Sequence, residues 1–392
     1  MKKALSLYYK HENDALRSTS ESYRAALLTL GYETLILDLS DLNSLPELDR
    51  LLKTGEIDFC FSVQGIGSTL ETTDKTNLWA ARRTPFICIH HDNPCYNPFN
   101  HMSDSPYVAN MYFFESFLDI KQRYLPSNQV SVATPFKLPS TWTPRIDNID
   151  YYSARPIRLL YAKTGGRLDE LNTYIDSLPA GVRDGIRQGL EVAHESPNLQ
   201  LCDLVDKMFI SLGFDRSKQE QQFWGVVQTM DDFIRRKRSI DFVNWLKYQE
   251  GALIVGDGWD FIDRIGTRAI FMPSISMHKI YQLYLQAIFA CNTNPYGRDI
   301  IHERVLQGLM SENIVLSDTN EWMDKTLGHI PALKRFDWTL SLDDQLKPVL
   351  HDPKITEYKQ SGSQAAYDIF VKDATAQPLI DLAEKVRQFA KG

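Results

Sequence analysis

Through the first third of the chain, short apolar runs alternate with stretches in which apolar residues recur every three or four positions. Ala4–Tyr9, Glu33–Leu37, Ile57–Val63 and Pro85–His90 have the first pattern and read as strands, as do the shorter Met111–Phe114 and Val130–Ala133. Ser20–Leu30, closed by Gly31, and then Leu45–Lys53 and Asp74–Arg82 have the second and read as helices. Strands and helices in strict alternation predict a parallel sheet covered on both faces. Pro126, Pro135, Pro139, Pro144 and Pro156 then break any periodicity, as a linker does. The pattern restarts at Ile157–Tyr161, and a mostly helical stretch follows from Leu168 to Tyr248. Strands at Ala252–Val255, Ala269–Met272, Ala287–Ala290 and Ile314–Leu316 then alternate with helices at Met277–Tyr284 and Asp299–Met310, and Ser363–Lys391 is helical.

The expected architecture is α/β: two doubly wound, Rossmann-like parallel-sheet domains, residues 1–145 and 146–350, with a helical insertion in the second and a helical tail over 351–392. Open parallel sheets bind ligands beyond the carboxyl ends of their strands, so two such sheets facing a central cleft place the informative loops after strands.

Composition narrows the partners. The 392 residues carry 43 Lys+Arg against 50 Asp+Glu, a formal charge of −7. That balance supplies no basic face for a duplex, and a nucleic-acid partner is not expected. No apolar run approaches the roughly 20 residues that span a bilayer, and Met1–Lys10 lacks the form of a signal peptide. Cys60, Cys88, Cys95, Cys202 and Cys291 are odd in number and scattered, which fits reduced core thiols in a cytoplasmic protein. The chain has no Gly-x-x-x-x-Gly-Lys-Ser/Thr, and Gly256-Asp257-Gly258-Trp259 lacks the third glycine of a dinucleotide fingerprint. Zinc-ligand spacing and Asp-x-Asp are absent too, so no bound metal is expected.

The richest loop lies between Cys291 and Asp318. A buried strand runs into the polar segment Asn292–Arg298, and Asp299 suits an N-cap. The helix behind it places His302, Glu303 and Arg304 near its N-terminus, where unpaired N–H groups and the helix dipole favour an anion. Arg304 can add a bidentate phosphate contact, and Gln307, four residues beyond Glu303, has donors and acceptors suited to vicinal hydroxyls. Phosphate and diol contacts side by side suit a nucleoside diphosphate; a solvated polar first turn is the plainer alternative.

This stretch resembles the donor-site signature of GT-B glycosyltransferases, closest to the group-1 and spore-maturation-protein-B-like types, where an Asn-containing strand end leads to a His-x-Arg helix and then a strand ending in Asp. Other landmarks fall in the same order. His91-Asp92-Asn93-Pro94 resembles an Asp-His-Pro-like turn of these enzymes. Arg158–Tyr161 with Lys163-Thr164-Gly165-Gly166 resembles the start of the donor domain, and Val255–Trp259 its Gly-x-Gly-Trp strand end. The resemblance implies a sugar transferred from a nucleotide-sugar donor, without metal or further cofactor, to a glycan, protein or small-molecule acceptor. It puts Asn294, Arg304, Gln307, Gly165, His302 and Glu303 at the donor, makes His91 or Asp92 the base, and returns the tail to the first domain. One departure stands out: Asp299 and Gln307 occupy positions where retaining members often carry two glutamates. A non-catalytic binding or assembly protein, and a sugar-nucleotide epimerase or hydrolase, are the competing readings.

Further candidates after strands are His11, Glu12 and Asp14, the loop Gln64–Thr69, and His90, whose side chain strand alternation sends opposite to that of His91. Lys163 is expected to help the leaving diphosphate. Trp259 stacks on a base or packs beneath the sheet. The basic run Arg235-Arg236-Lys237-Arg238 reads as a solvated helix end, with docking of an acceptor or a membrane surface as the sharper option.

Overall fold

The computed structural model describes residues 2–10, 15–137, 155–196, 198–372 and 374–391. The chain divides into two units, Met1–Trp142 with Phe370–Gly392, and Thr143–Ile369. The C-terminal segment of the first unit thus starts at Phe370, whereas the sequence suggested a tail from residue 351. His11, Glu12, Asp14, Pro139 and Pro144 lie outside the described residues.

The first unit is built on strands β1 (Lys2–Tyr8), β2 (Tyr32–Asp38), β3 (Ile57–Val63), β4 (Phe86–His90), β5 (Val108–Tyr112) and β6 (Ser131–Ala133). All pair in parallel, in the order β2-β1-β3-β4-β5-β6. Central β4 and β5 are buried at every position, as sheet strands covered on both faces must be, while edge strand β6 is half-buried throughout. Helices α1 (Ala15–Thr29), α2 (Ser44–Lys53), α3 (Leu78–Arg82) and α4 (Glu115–Tyr124) connect them.

Two helix starts differ from the periodicity. α1 begins five residues before Ser20, because the hydroxyls of Thr19, Ser20 and Ser22 bond back to carbonyls one turn earlier and so tolerate the helix interior. α3 begins at Leu78, not at Asp74, because the Asn77 side chain accepts from the N–H groups of Trp79 and Ala80 and sets the cap there.

The second unit has strands β7 (Ile157–Ala162), β8 (Ala252–Val255), β9 (Ile270–Met272), β10 (Ala287–Asn292), β11 (Ile314–Asp318) and β12 (Leu333–Phe336). They too are parallel, ordered β12-β11-β10-β7-β8-β9. Its helices are α5 (Asp169–Ser177), α6 (Ala180–Glu195), α7 (Leu201–Ser211), α8 (Glu220–Leu246), α9 (Met277–Gln286), α10 (Glu303–Met310), α11 (Glu321–Leu327), α12 (Leu342–Leu350) and α13 (Lys359–Ala366). A last helix, α14 (Gln377–Phe389), belongs to the first unit, where Arg387 donates to the carboxylate and carbonyl of Asp58.

The 27-residue α8 lies on the second sheet. Phe242 packs 5.2 Å from the ring of Tyr161 on β7 and 5.5 Å from Phe336 on β12. Residues 235, 238 and 239 share that face, one and two turns earlier, so the same packing carries them over the carboxyl ends of the strands. Among the described residues no helix is long and apolar enough to cross a membrane.

Candidate functional site

The carboxyl ends of β7, β10 and β11 are joined by buried side-chain hydrogen bonds. Asn292, at the end of β10, donates to Asn294 Oδ1 (2.9 Å) and Ser317 Oγ (3.0 Å). Asn294 donates from its amide to Ser317 Oγ and the Asp318 carbonyl, and from its backbone to Asp318 Oδ1. Its own Oδ1 also accepts from the backbone N–H of His302 (3.2 Å). With those bonds made, Asn294 is a strut between two strand ends and a helix start. The Asn294 side chain, expected at the donor, makes these internal bonds.

The helix behind the strut starts later than its polar residues suggest. Ile300 and Ile301 are buried ahead of the helix, and Asn320 Nδ2 holds the carbonyls of Gly297 and Ile300. The cap is therefore His302, not Asp299, and α10 runs from Glu303. Nδ1 of His302 lies 3.2 Å from the Arg304 N–H and 2.9 Å from the Glu303 carboxylate, so its tautomer decides which one it serves. Burial first, then the Arg304 charge, pulls the ring down to about 4. Burial works against ionised Glu303, while His302, Arg304 and its own backbone N–H hold the carboxyl low. The Val305 N–H bonds the His302 carbonyl. The first-turn amides expected to greet an anion thus have partners inside the protein.

What remains for an anion is side-chain charge. Arg304 donates from Nε to Asn292 Oδ1 (3.0 Å) and from Nη1 to the Ala162 carbonyl (3.1 Å), which fixes its plane between the ends of β7 and β10. Lys163 donates to Thr293 Oγ1 (2.8 Å), which also meets the Tyr161 hydroxyl (2.9 Å). Burial, then the charges of Arg304 and Arg235, hold the Lys163 ammonium well below the ordinary lysine value. Lys163 and Arg235 line a cavity of about 500 Å³ with Gly166, Arg236 and Ser239.

The basic run of α8 is therefore no solvated helix end. It sits mid-helix, and only Lys237, paired with Asp241, faces out. Arg238 is 3% exposed, 3.5 Å from Asp318 Oδ2, which also accepts from Trp338 Nε1 (2.9 Å). Burial raises the Asp318 carboxyl even so. Sequence reading took Arg235 and Arg238 as solvent-facing, placed Thr293 in the polar loop without a role, and did not single out Ser239. The i, i+3, i+4, i+7 spacing from Arg235 to Phe242 was the available signal, obscured because apolar and charged residues alternate along this long helix.

Gln307 and Trp259 are buried, and Gly165 lines the same cavity as Lys163 and Arg235. Gln307 is 2% exposed on α10. Gly165 gives its N–H to the Asp257 carbonyl, and a Cβ there would stand 2.4 Å from the Gly258 carbonyl. Its lack of a side chain lets the loops after β7 and β8 touch. Trp259 packs beneath them, with Nε1 on the Lys163 carbonyl (2.8 Å), and does not offer its face to a base.

In the first unit His90 is fully buried at the end of β4, bonded to Asn110 (2.9 Å) and stacked 3.8 Å from the His101 ring. It is a core histidine. His91 points the other way, half-buried, with its ring 4.8 Å from that of Phe113. Asp92 is exposed and accepts from Gln64 Nε2 (2.8 Å). The Gln64–Thr69 loop is a packed turn, with Trp79 Nε1 on the Gly67 carbonyl, and not an open phosphate cradle. Among the described residues no three His, Cys, Asp or Glu side chains are grouped to hold a metal ion.

No protein-family model and no curated protein sequence matches the chain. Solved structures do, over their full length. Sucrose-phosphate synthase of Thermosynechococcus elongatus is 10% identical, with a TM-score of 0.54 and 100% of each chain covered. An alpha-glucosyltransferase in complex with UDP-glucose and DNA containing an abasic site is 8% identical, with a TM-score of 0.55 and 98% of this chain and 99% of that one covered. HepE of Anabaena, in complex with UDP-glucose, is 10% identical, with a TM-score of 0.53 and 100% of both chains covered. The chain has the GT-B fold. Its structural neighbours are glycosyltransferases, and at these identities the likeness is one of fold.

Proposed function

We propose that the protein transfers a sugar from a nucleoside-diphosphate sugar to an acceptor hydroxyl, with the donor in the second unit and the acceptor in the first. The observation that carries this reading is the gathering of Lys163, Arg235 and Arg304 at the carboxyl ends of β7 and β10, beside a cavity of about 500 Å³. A diphosphate is the ligand chemistry that relieves such crowding of like charge. The acceptor gives its proton to His91 or Asp92, and its oxygen attacks the anomeric carbon. The bond to the diphosphate breaks, and the diphosphate leaves with the electron pair against the three cations. These charges stand where other glycosyltransferases use a metal ion, so turnover is expected to survive a chelator. The likeness to group-1 and spore-maturation-protein-B-like enzymes belongs to this same reading, as does a cytoplasmic location.

A non-catalytic binding protein is the second reading, favoured by burial of Gln307 and by internal use of Asn294. Isothermal titration with a panel of nucleotide sugars, run beside an assay for released diphosphate nucleotide, separates the two. Binding with turnover supports the transferase; binding without it supports the alternative; no binding by any donor removes both.

A further inference from the structure

A second cleft in the second unit, of about 380 Å³, lies between the end of α8 and α12. Its volume is within the range of about 300–1,000 Å³ usual for small-ligand sites. Trp245, Tyr248 and Gln249 line it from the end of α8, and Asp343, Lys347 and His351 from α12 and its cap. Steps of four residues put the α12 trio on one helix face. The donor cavity stands apart, because Arg235, which lines that one, precedes Trp245 by about 15 Å of helix.

The polar side chains of the cleft are oriented in advance. Trp245 Nε1 donates to Asp343 Oδ1 (3.0 Å), Gln249 Nε2 to the Trp245 carbonyl (3.4 Å), and His351 Nδ1 to the Lys347 carbonyl (2.8 Å). A carbonyl only accepts, so Nδ1 carries the proton and Nε2 of the neutral ring is an acceptor. No further hydrogen bond among the described residues engages Asp343 Oδ2, Gln249 Oε1 or His351 Nε2, nor the Lys347 ammonium or the Tyr248 hydroxyl. Three acceptors thus stand beside a cation and a phenol. A phosphate, which only accepts, meets that mixture poorly, whereas hydroxyl groups both donate and accept.

The aromatic rings narrow the ligand further. Trp245 is half-buried and held by its bond to Asp343; Tyr248 is 50% exposed, with Lys247 over one face at 5.1 Å. Flat rings with polar tips, held in place beside solvent, suit a partner that has an apolar face and a wet rim. A pyranose has both, with C–H groups on its face and hydroxyls around its edge. We propose that this cleft holds one pyranose unit of a glycan chain, as a binding site apart from the reacting centre. The proposal rests on the transferase reading and deepens it by naming a glycan as the acceptor class, over a protein or a small molecule.

The probe is a microarray of α- and β-linked hexose oligosaccharides, read with the full-length protein, with the strongest hit followed by saturation-transfer NMR. Wild type is expected to bind, with transfer strongest at the C–H protons of one ring face. Tyr248→Ala should weaken binding about fivefold. His351→Ala should weaken it about three- to tenfold. The two together should abolish the array signal at an unchanged melting temperature. No array binding by wild type, or binding that survives the double variant, overturns the proposal, even when a nucleotide sugar binds and turns over. Glycan binding that depends on Tyr248 and His351 in a protein that binds no nucleotide sugar removes the transferase reading instead and keeps the cleft as a glycan site.

Discussion

At the carboxyl end of the first sheet the buried imidazoles are neutral and stacked on one another. Burial holds His90 at about 3 and keeps His101 well below its ordinary value, so both rings are uncharged and stack with Tyr112. Lys121, the cation of this region, bonds Ser127 Oγ and the Leu125 carbonyl, and burial draws its ammonium down to about 8. At the carboxyl end of the second sheet, Lys163, Arg235, Arg238 and Arg304 meet around Asp318. The two sheets have the same number of parallel strands. The difference lies in which side chains stand at the strand ends: amides and imidazoles make a neutral, preorganised wall, while guanidinium groups, paired in part with Asp231 and Asp318, gather positive charge.

The contrast breaks most visibly in stability. Replacing Asp318 by Ala strands the buried Arg238 guanidinium, and a buried pair cut on one side costs about 3–5 kcal/mol. Replacing His90 by Phe keeps a flat ring on His101 but leaves the Asn110 carbonyl oxygen without that donor, a loss of about 1–3 kcal/mol. Urea denaturation followed by tryptophan fluorescence measures both. Equal losses would mean that the two strand-end networks do not differ in kind.

Next in size is ligand affinity. Arg304→Ala removes a guanidinium whose orientation is already fixed by Asn292 and Ala162, so little ordering is lost when a phosphate binds. UDP affinity is expected to fall about 10- to 100-fold by calorimetry. The first-sheet variant His90→Phe should leave it unchanged. An Arg304→Ala protein that binds UDP as wild type does would take the charge cluster out of the donor site.

The two regions were also unequally legible in the amino-acid sequence. Both sheets could be read because their central strands are continuous apolar runs with helices between them, and the split between His90 and His91 follows from strand alternation alone. The loop Asn292–Arg304 was recognisable by its polar residues at a strand end. Its internal bonding was not, because whether Asn294 faces a ligand or braces Asp318 depends on a residue 24 positions away. The same holds for the cap of α10, which lies at His302 because Ile300 and Ile301 take core positions ahead of the helix. Arg235 and Arg238 were invisible as site residues for the opposite reason. A charge run normally marks solvent, and here one turn of it faces a pocket and a buried carboxylate.

The finest test of the comparison is proton linkage. Lys163 has a lowered value through burial first, then repulsion by Arg304, Arg235 and Arg238, with Asp318 opposing. A diphosphate placed beside it adds negative charge and raises that value toward the ordinary 10.5. Below the free protein's value the ammonium is protonated with or without ligand, and affinity is flat. Above it, binding must take up a proton, so affinity falls as pH rises, by at most about tenfold per pH unit for one linked group. UDP-glucose is the better probe than UDP, since it has no terminal phosphate to titrate. Calorimetry in buffers of different ionisation enthalpy should then show uptake of a fraction of a proton. Lys163→Arg keeps the charge without the titration and should show none, and so should His90→Phe lose none of it, because the imidazoles at the first sheet stay neutral throughout. Uptake that persists in Lys163→Arg would assign the proton to another group and leave Lys163 a fixed cation like its neighbours.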